Sequence, residues 1–186
     1  MLPENFFESG SIFKIDRSIP RKSGAEKIVW PVRKNGILYA AKIFREVNDS
    51  SLKPINRIRA ARREFDAYER TSNSVIGRFV PPPVELIIEN GKEIGLIVFW
   101  RNGLPVADFF KRELIPEELF VDFEQSLLQL PKGLWLIDDS IADANVCFDG
   151  SELWLAEPRL RYYPSYKKYK TMVNTQLSYL KDNYSK

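Results

Sequence analysis

Two Asn-Gly dipeptides, each set between apolar segments, constrain the fold of this chain more than any other feature of its sequence. Asn35-Gly36 lies between the segments KIVWPV and ILYAAKIF, and Asn90-Gly91 lies between VELIIE and KEIGLIVFW. Asn-Gly favours the positive φ angles of a two-residue type I′ turn, so each dipeptide predicts a β-hairpin. Asp149-Gly150, between VCF and LWLA, predicts a third hairpin. Antiparallel β-structure is therefore expected at three places in the chain.

Three other segments have the three- and four-residue apolar spacing of amphipathic helices. They are INRIRAARREFDAYER, within residues 50–71, a segment from Glu117 to Leu130 enclosed by prolines, and the Lys- and Tyr-rich residues 164–186. The arginines of the first segment, in the range Arg57 to Arg63, form a basic face that could hold a nucleic acid or an acidic partner, although such faces are commonly just solvated. Strands and helices together predict an α+β fold.

Composition limits the number of domains and the chemistry. With 186 residues, 44% of them hydrophobic, the chain can bury one substantial core, and we expect a single domain with two lobes. We place a strand-rich lobe at about 1–100, a linker at about 101–105 and a helical lobe at about 106–186. The absence of histidine excludes Ser-His and Cys-His catalysis, and the lone Cys147 excludes an internal disulfide. Without a long apolar span or signal pattern, we expect a cytoplasmic protein with no membrane span.

Lys42 and Glu64 are two charged residues next to apolar sequence. Lys42 lies within the strand segment ILYAAKIF, and Glu64 lies beside the apolar stripe of the first predicted helix. A lysine that faces inward from such a strand requires a carboxylate or an anion, whereas an edge-strand lysine that faces water requires neither. The strand pattern alone favours the exposed orientation, and the inward one predicts an ion pair between Lys42 and Glu64.

The segment Gly133–Tyr163 groups several oxygen-bearing side chains. Asp139, Asp143 and Asn145 lie in a polar loop, and Glu157 follows the last strand of the predicted hairpin. Carboxylate and amide oxygens are the ligands that hard divalent cations prefer. The four residues therefore predict a metal site if their side chains converge on one point. The simpler alternative is that Asp and Asn are common loop residues.

The order of these segments resembles that of the protein-kinase-like fold. A hairpin with a turn at Ser23-Gly24 precedes a strand lysine, a helix glutamate, two strands, a linker, a helix, a loop ending in asparagine, a hairpin and an acidic strand end. In length and layout the chain is similar to small bacterial kinases of the OspG effector and YrbL type. The resemblance implies a two-lobed fold with an N-terminal antiparallel sheet plus one helix, and a reduced, mostly helical C-terminal lobe. It also implies ATP and Mg²⁺ as cofactors and, for an effector, secretion into a host cell.

The resemblance assigns roles to individual residues. Lys42, in YAAKIF, matches the lysine that binds the α- and β-phosphates, and Glu64, in RREFDAY, matches the helix glutamate that pairs with it. Gly24 is the one glycine in the segment that matches the phosphate loop. Asn145 matches the metal-binding asparagine of the catalytic loop, and Glu157 stands where the family has the aspartate of Asp-Phe-Gly.

Other positions depart from the family pattern. The phosphate-loop segment PRKSGAEK has few of the glycines that let backbone amides approach a nucleotide. Ser140 stands five residues before Asn145, where the family has its catalytic aspartate, and the preceding histidine and arginine are absent. Asp139 lies one residue too early, so that Asp139 and Asp143 are the carboxylates left for catalysis.

Three interpretations compete. The first is a pseudokinase, a kinase-like domain with little or no phosphotransferase activity that binds a protein partner. The second is an active atypical kinase, or another nucleotide-dependent transferase, in which Asp139 or Asp143 acts together with Glu157. The third is a basic interaction or nucleic-acid-binding domain that uses the Arg57–Arg63 face without a nucleotide. We favour the first, because the departures fall on the groups that orient the substrate hydroxyl and the metal.

Overall fold

Antiparallel hairpins form around both Asn-Gly dipeptides, as the sequence predicts. The computed structural model describes residues 7, 11–23, 26–45, 57–109 and 115–185. Both dipeptides have positive φ at both residues, 52° and 80° at Asn35-Gly36 and 50° and 74° at Asn90-Gly91, which confirms the two hairpins. The strands are β1 (Lys14–Ile15), β2 (Lys22–Ser23), β3 (Lys27–Lys34), β4 (Ile37–Phe44), β5 (Pro83–Glu89) and β6 (Lys92–Phe99). They form one sheet in the order β1-β3-β4-β6-β5, with β2 also paired to β3.

The remaining elements are mainly helical. They are α1 (Arg57–Ser72), a 3₁₀ helix (Gly77–Phe79), β7 (Leu104–Pro105), α2 (Val106–Phe109), α3 (Glu117–Leu128), a second 3₁₀ helix (Asp138–Ile141), β8 (Val146–Phe148), β9 (Leu153–Leu155) and α4 (Tyr166–Tyr184). Strands β7, β8 and β9 form an antiparallel sheet in that order, which confirms the third hairpin and adds a strand from the predicted linker. The α+β class with antiparallel sheets is therefore confirmed.

The chain divides into two compact units. The first comprises the described residues up to Asp66 together with Pro82–Trp100, and the second comprises Ala67–Pro81 and the described residues from Arg101 onward. The first boundary falls inside α1. None of the helices in the described ranges combines the length and apolar character that crossing a membrane requires.

The first unit builds its core on one face of the large sheet. The core includes Trp30 and Val32 of β3, together with Tyr39, Ala41 and Ile43 of β4, with Phe7 and Phe13 packed among them. Strand residues alternate between the two faces. Pairing of Trp30 with Ala41 and of Val29 with Lys42 therefore places Lys42 on the opposite face.

The second unit builds its core from α3 and α4. Phe120, Phe123 and Leu127 of α3 and Tyr169, Val173, Leu177 and Leu180 of α4 are buried. The spacing of residues 164–186 predicts an apolar stripe of Tyr166, Tyr169, Met172, Val173, Leu177 and Leu180, and four of these six are buried. Met172 is half-buried, and Tyr166, at the start of α4, is 47% exposed. The tyrosine ring there can lie at the surface because its polar hydroxyl bonds to a carbonyl oxygen, that of Leu128.

Candidate functional site

Lys42 faces inward and pairs with Glu64. Strand β4 lies between β3 and β6, so Lys42 is not on a sheet edge. Its residue is 6% exposed, and its Nζ lies 3.0 Å from Oε1 of Glu64 on α1. The predicted ion pair is confirmed. The exposed orientation that the strand pattern favoured is wrong, because Glu64 of α1 meets the Lys42 side chain on this face of the sheet and only 8% of that side chain is exposed.

Lys27 is a second partner of Glu64 that the sequence did not reveal. Its Nζ lies 2.5 Å from Oε2 of Glu64, so each oxygen of the carboxylate receives one lysine. Pairing places Val29 opposite Lys42, and Lys27 is two residues before Val29 on the same face of β3. In the sequence, the only indication of this contact is the two-residue spacing between Lys27 and Val29. That spacing is informative only once the register of the hairpin is known.

The three side chains form a buried ion trio, defined as Lys27, Lys42 and Glu64. Their side chains are 10%, 8% and 5% exposed, respectively. Charges this far from water are stable only when paired and hydrogen-bonded. Glu64 is therefore the hub of the trio, because its carboxylate contacts both ammonium groups. Ammonium groups can bind phosphate oxygens as well as a carboxylate.

The β6 backbone approaches β4 closely beside the trio. Gly95 pairs with Ile43, and a Cβ on Gly95 would lie 2.3 Å from the carbonyl oxygen of Lys42. Only a residue without a side chain fits at that distance. Gly24, the predicted phosphate-loop glycine, lies outside the described residues. Strand β2, just before it, pairs with β3, with Lys22 opposite Val29 and Ser23 opposite Ile28.

Ser140, at the position that matches the catalytic aspartate, has a structural role. It is fully buried, on the 3₁₀ helix Asp138–Ile141. The backbone N–H of Arg159 donates to its Oγ at 2.8 Å, and its hydroxyl lies 3.4 Å from the Arg159 carbonyl oxygen. The hydroxyl therefore ties the polar loop to the segment that follows β9. A group in this position does not face solvent.

Glu157 and Asp139 both contact Arg159. The guanidinium donates through Nε to Oε1 of Glu157 at 3.0 Å and through Nη2 to the same oxygen, and its Nη1 lies 3.6 Å from Oδ2 of Asp139. The Glu157 side chain is 13% exposed, whereas that of Asp139 is 53% exposed. The side chain of Arg159 therefore supplies the positive charge that a bound metal would supply to these two carboxylates.

Asp143 and Asn145 have other partners. The hydroxyl of Tyr184, near the end of α4, donates to Oδ2 of Asp143 at 2.7 Å. Burial and this hydrogen bond raise the pKa of Tyr184 above its ordinary value. The Asn145 side-chain amide donates to the carbonyl oxygen of Asp139 at 2.8 Å. Asn145 thereby closes the loop on itself.

The three carboxylates do not converge. Within the described ranges, no group of three or more histidine, cysteine or acidic side chains is arranged to hold a metal ion. Asp139, Asp143 and Glu157 therefore do not surround one point with Asn145 as expected, while the metal roles that the resemblance gives Asn145 and Glu157 stay a prediction. Asp139 and Glu157 turn to Arg159, and Asp143 turns to Tyr184. The sequence indicates only the contact of Glu157 with Arg159, through the succession Glu-Pro-Arg after β9.

The predicted basic face of α1 is partly neutralised. Arg59, Arg62 and Arg63 are exposed, and the side chain of Arg57 lies outside the described residues. Arg62 pairs with Glu93 of β6, with 3.1 Å between Nε and Oε2. The pairing leaves less positive charge on this face than the sequence suggests. A nucleic-acid role for the face stays a prediction.

Comparison with known proteins adds no family assignment. No protein-family model matches the sequence, and no curated protein matches it. The functional argument therefore depends on the chain's own residues and their contacts.

Proposed function

We propose that this chain is a degenerate protein-kinase-like domain that binds a protein partner and has little or no phosphotransferase activity. The order of its motifs and the buried pair of Lys42 with Glu64 support the kinase-like assignment. The contact of Arg159 with both Glu157 and Asp139 carries the proposed loss of activity. Phosphoryl transfer needs metal ions that neutralise the phosphates and a carboxylate that orients the attacking hydroxyl.

The residues fit a nucleotide phosphate better than they fit a metal. Lys42 has the charge and the α1 partner that the family uses to hold phosphates. Glu157 does not fit the metal role, because two N–H groups of Arg159 already bind one of its oxygens. A cation would have to displace this charge-assisted pair. We therefore expect nucleotide binding, where it occurs, to depend little on Mg²⁺.

The carboxylate that would act as the base is also missing. Ser140 has no basicity near neutral pH, and its buried hydroxyl is bonded to the Arg159 backbone. Asp139 is exposed but lies one residue before Ser140 on the same 3₁₀ helix, where consecutive residues are displaced by roughly 2.0 Å along the axis and about 120° around it. Positional errors of about 1 Å can lower a rate on the order of a hundredfold. The neighbouring aspartate is thus a poor substitute.

A phosphotransfer assay tests this proposal. Radiolabelled ATP and Mg²⁺ are incubated with general protein substrates and the wild-type chain, Asp139→Ala, Asp143→Ala or Glu157→Ala. We expect no labelling above background in any of the four. Robust labelling that one carboxylate change abolishes and the others spare would overturn the proposal and identify an active transferase.

Thermal unfolding with ATP separates nucleotide binding from catalysis. A ligand that binds only the folded state raises its stability by about 2.7 kcal/mol at a hundred times its Kd. We expect ATP to raise the midpoint of the wild type, with or without Mg²⁺, and to have no effect on Lys42→Met. In Arg159→Gln, Glu157 loses its cation, and the ATP-induced rise should become larger when Mg²⁺ is added. An Mg²⁺ dependence already present in the wild type would show that Arg159 does not compete with the metal.

A further inference from the structure

The chain carries an uneven distribution of charge near its C-terminal end. Between Glu157 and Asp182 there are twenty-four residues, 158–181, with six lysines or arginines, five tyrosines and no acid. The whole chain has a net charge of only +3. Positive charge is therefore concentrated in this segment. Such concentration is typical of a surface that meets an anionic partner.

Two of the six cations already have carboxylate partners. Arg159 pairs with Glu157, and Lys181 pairs with Glu124 at 2.6 Å. The other four, Arg161, Lys167, Lys168 and Lys170, are exposed, as are Tyr162 and Lys132, whose ammonium lies over the Tyr162 ring. We define the basic-aromatic surface as Lys132, Arg161, Tyr162, Lys167, Lys168 and Lys170.

Packed aromatic rings hold this surface together. The Nζ of Lys132 lies 5.1 Å from the ring centre of Tyr162, which is 69% exposed. The ring of Trp135 contacts Tyr163, before α4, and Tyr166, at its first residue, with centres 6.4 and 6.3 Å away. The segment carrying Arg161 and Tyr162 and the first turn of α4 are therefore fixed relative to each other.

The rings beneath the cations are occupied by contacts within the chain. Trp135 stacks on Tyr169, with an interplanar angle of 12° and 5.2 Å between centres. The hydroxyls of Tyr166 and Tyr169 each bond to a carbonyl oxygen of the α3 end at 3.1 Å. Lys132 lies over the ring of Tyr162. Single-stranded nucleic acids need a series of free ring faces for base stacking, which these contacts do not provide. Exposed ammonium and guanidinium groups suit carboxylates better.

We propose that the basic-aromatic surface binds an acidic segment of the protein partner. This inference rests on the proposed partner-binding function and names the chemistry of the partner. Carboxylates of the segment pair with Lys167, Lys168, Lys170 and Arg161, and the exposed ring of Tyr162 supplies apolar contact. Opposite charges accelerate association and make it sensitive to salt.

A fluorescein-labelled oligoglutamate peptide is the probe, and fluorescence anisotropy measures its binding to the full chain. The test variant is Lys167→Gln/Lys168→Gln/Lys170→Gln, which lowers the net charge from +3 to 0. All three side chains are exposed, so the fold should be unaffected, and the circular dichroism spectrum of the variant should match that of the wild type. We expect the wild type to bind the peptide and raised salt to weaken binding. The variant should bind about tenfold more weakly or worse.

The matched control is Lys14→Gln/Lys22→Gln/Lys92→Gln. These three lysines are also exposed, and the change again lowers the net charge from +3 to 0. We expect the control to bind the peptide within about twofold of the wild type, because the position of charge matters more than its total. Equal weakening in both variants would overturn the proposal.

An oligouridylate of the same length, carrying the same label, tests the nucleic-acid alternative. We expect it to bind more weakly than the peptide. Oligouridylate binding that is tighter than peptide binding and is abolished by the Lys167, Lys168 and Lys170 changes would overturn the proposal in favour of a nucleic-acid surface. Failure of the wild type to bind the peptide would also overturn the proposal. The phosphotransfer assay tests the proposed function separately, because transfer of labelled phosphate would contradict that function whatever the result with the peptide.

Discussion

Removal of Glu64 tests the buried ion trio most directly. Glu64 is the carboxylate that contacts both Lys27 and Lys42, and its side chain is only 5% exposed. In Glu64→Ala the two ammonium groups lose that carboxylate while remaining in a region with little water. Breaking a buried ion pair by removal of one partner costs about 3–5 kcal/mol. We expect a loss of that size in the free energy of unfolding.

The lysine variants should behave differently from Glu64→Ala. In Lys42→Met or Lys27→Met, the carboxylate keeps one ammonium partner, and methionine fills most of the space of the lysine stem. Each change removes one charge-assisted hydrogen bond and one desolvated charge, so the net loss should be about 1 kcal/mol. The double change leaves Glu64 without either lysine and should cost about 3–5 kcal/mol. The single effects then sum to about 2 kcal/mol, and the interaction energy is about 1–3 kcal/mol.

Urea unfolding followed by circular dichroism measures these values. For a chain of this length, a loss of 3–5 kcal/mol corresponds to a fall in Tm of roughly 6–20 °C. Arg63→Ala is the control, because Arg63 is an exposed residue next to Glu64 on α1 and should change stability by less than about 0.5 kcal/mol. Additive effects of the two lysine changes, or a loss near 1 kcal/mol in Glu64→Ala, would refute the role of Glu64 as the hub of the buried ion trio.

Three further variants probe the second unit. In Asp149→Asn, the loss of stability should be present above about pH 4 and disappear at lower pH. Burial raises the pKa of the Asp149 carboxyl, but the N–H and hydroxyl donors of the turn outweigh burial and hold this pKa below its ordinary value. Urea unfolding measured as a function of pH checks this. Tyr184→Phe removes the hydrogen bond to Asp143 and should lower the free energy of unfolding by about 1–2 kcal/mol at pH 7. Above about pH 10, the stability of the variant should depend less on pH than that of the wild type. The reason is that the raised pKa of Tyr184 stabilises the fold only while its hydroxyl keeps its proton. Ser140→Ala should lose about 1–3 kcal/mol because the Arg159 N–H loses its acceptor, and a thermal midpoint equal to that of the wild type would contradict the buried role of the hydroxyl.

The hairpins were predictable because their determinants are local. An Asn-Gly dipeptide selects its turn through its own φ preferences, and the turn fixes the register of the strands on both sides. The α1 stripe at Ala61 and Tyr68 follows equally from spacing, although its predicted start at Ile55 lies outside the described residues. The ion pair of Lys42 with Glu64 was accessible for a different reason, since each charge alone would be expensive to bury.

Contacts that depend on register or on distant chain segments were not predictable. Lys27 reaches Glu64 only because the β3–β4 pairing places it on the face of Lys42. Tyr184 reaches Asp143 from 41 residues away, and nothing in either local sequence indicates it. The expected convergence of Asp139, Asp143 and Glu157 is not found, because closeness in sequence does not by itself bring side chains to one point. The 3₁₀ helix and the contact with Arg159 send the loop carboxylates in different directions.

The two sets of kinase-like residues differ in what their replacement would do to the fold. Loss of Glu64 leaves buried lysines without their shared carboxylate, so stability alone is a sufficient reason for the trio to be present, and the trio by itself does not demonstrate nucleotide chemistry. Asp139 lies at the surface with a half-exposed side chain, where substitutions change stability little. A chain that no longer transfers phosphate would therefore keep the first set and be free to change the second. For a kinase-like domain that binds rather than catalyses, as proposed, we expect both features of this chain: an intact Lys42–Glu64 pair, and acids bound by Arg159 with a serine at the position of the base.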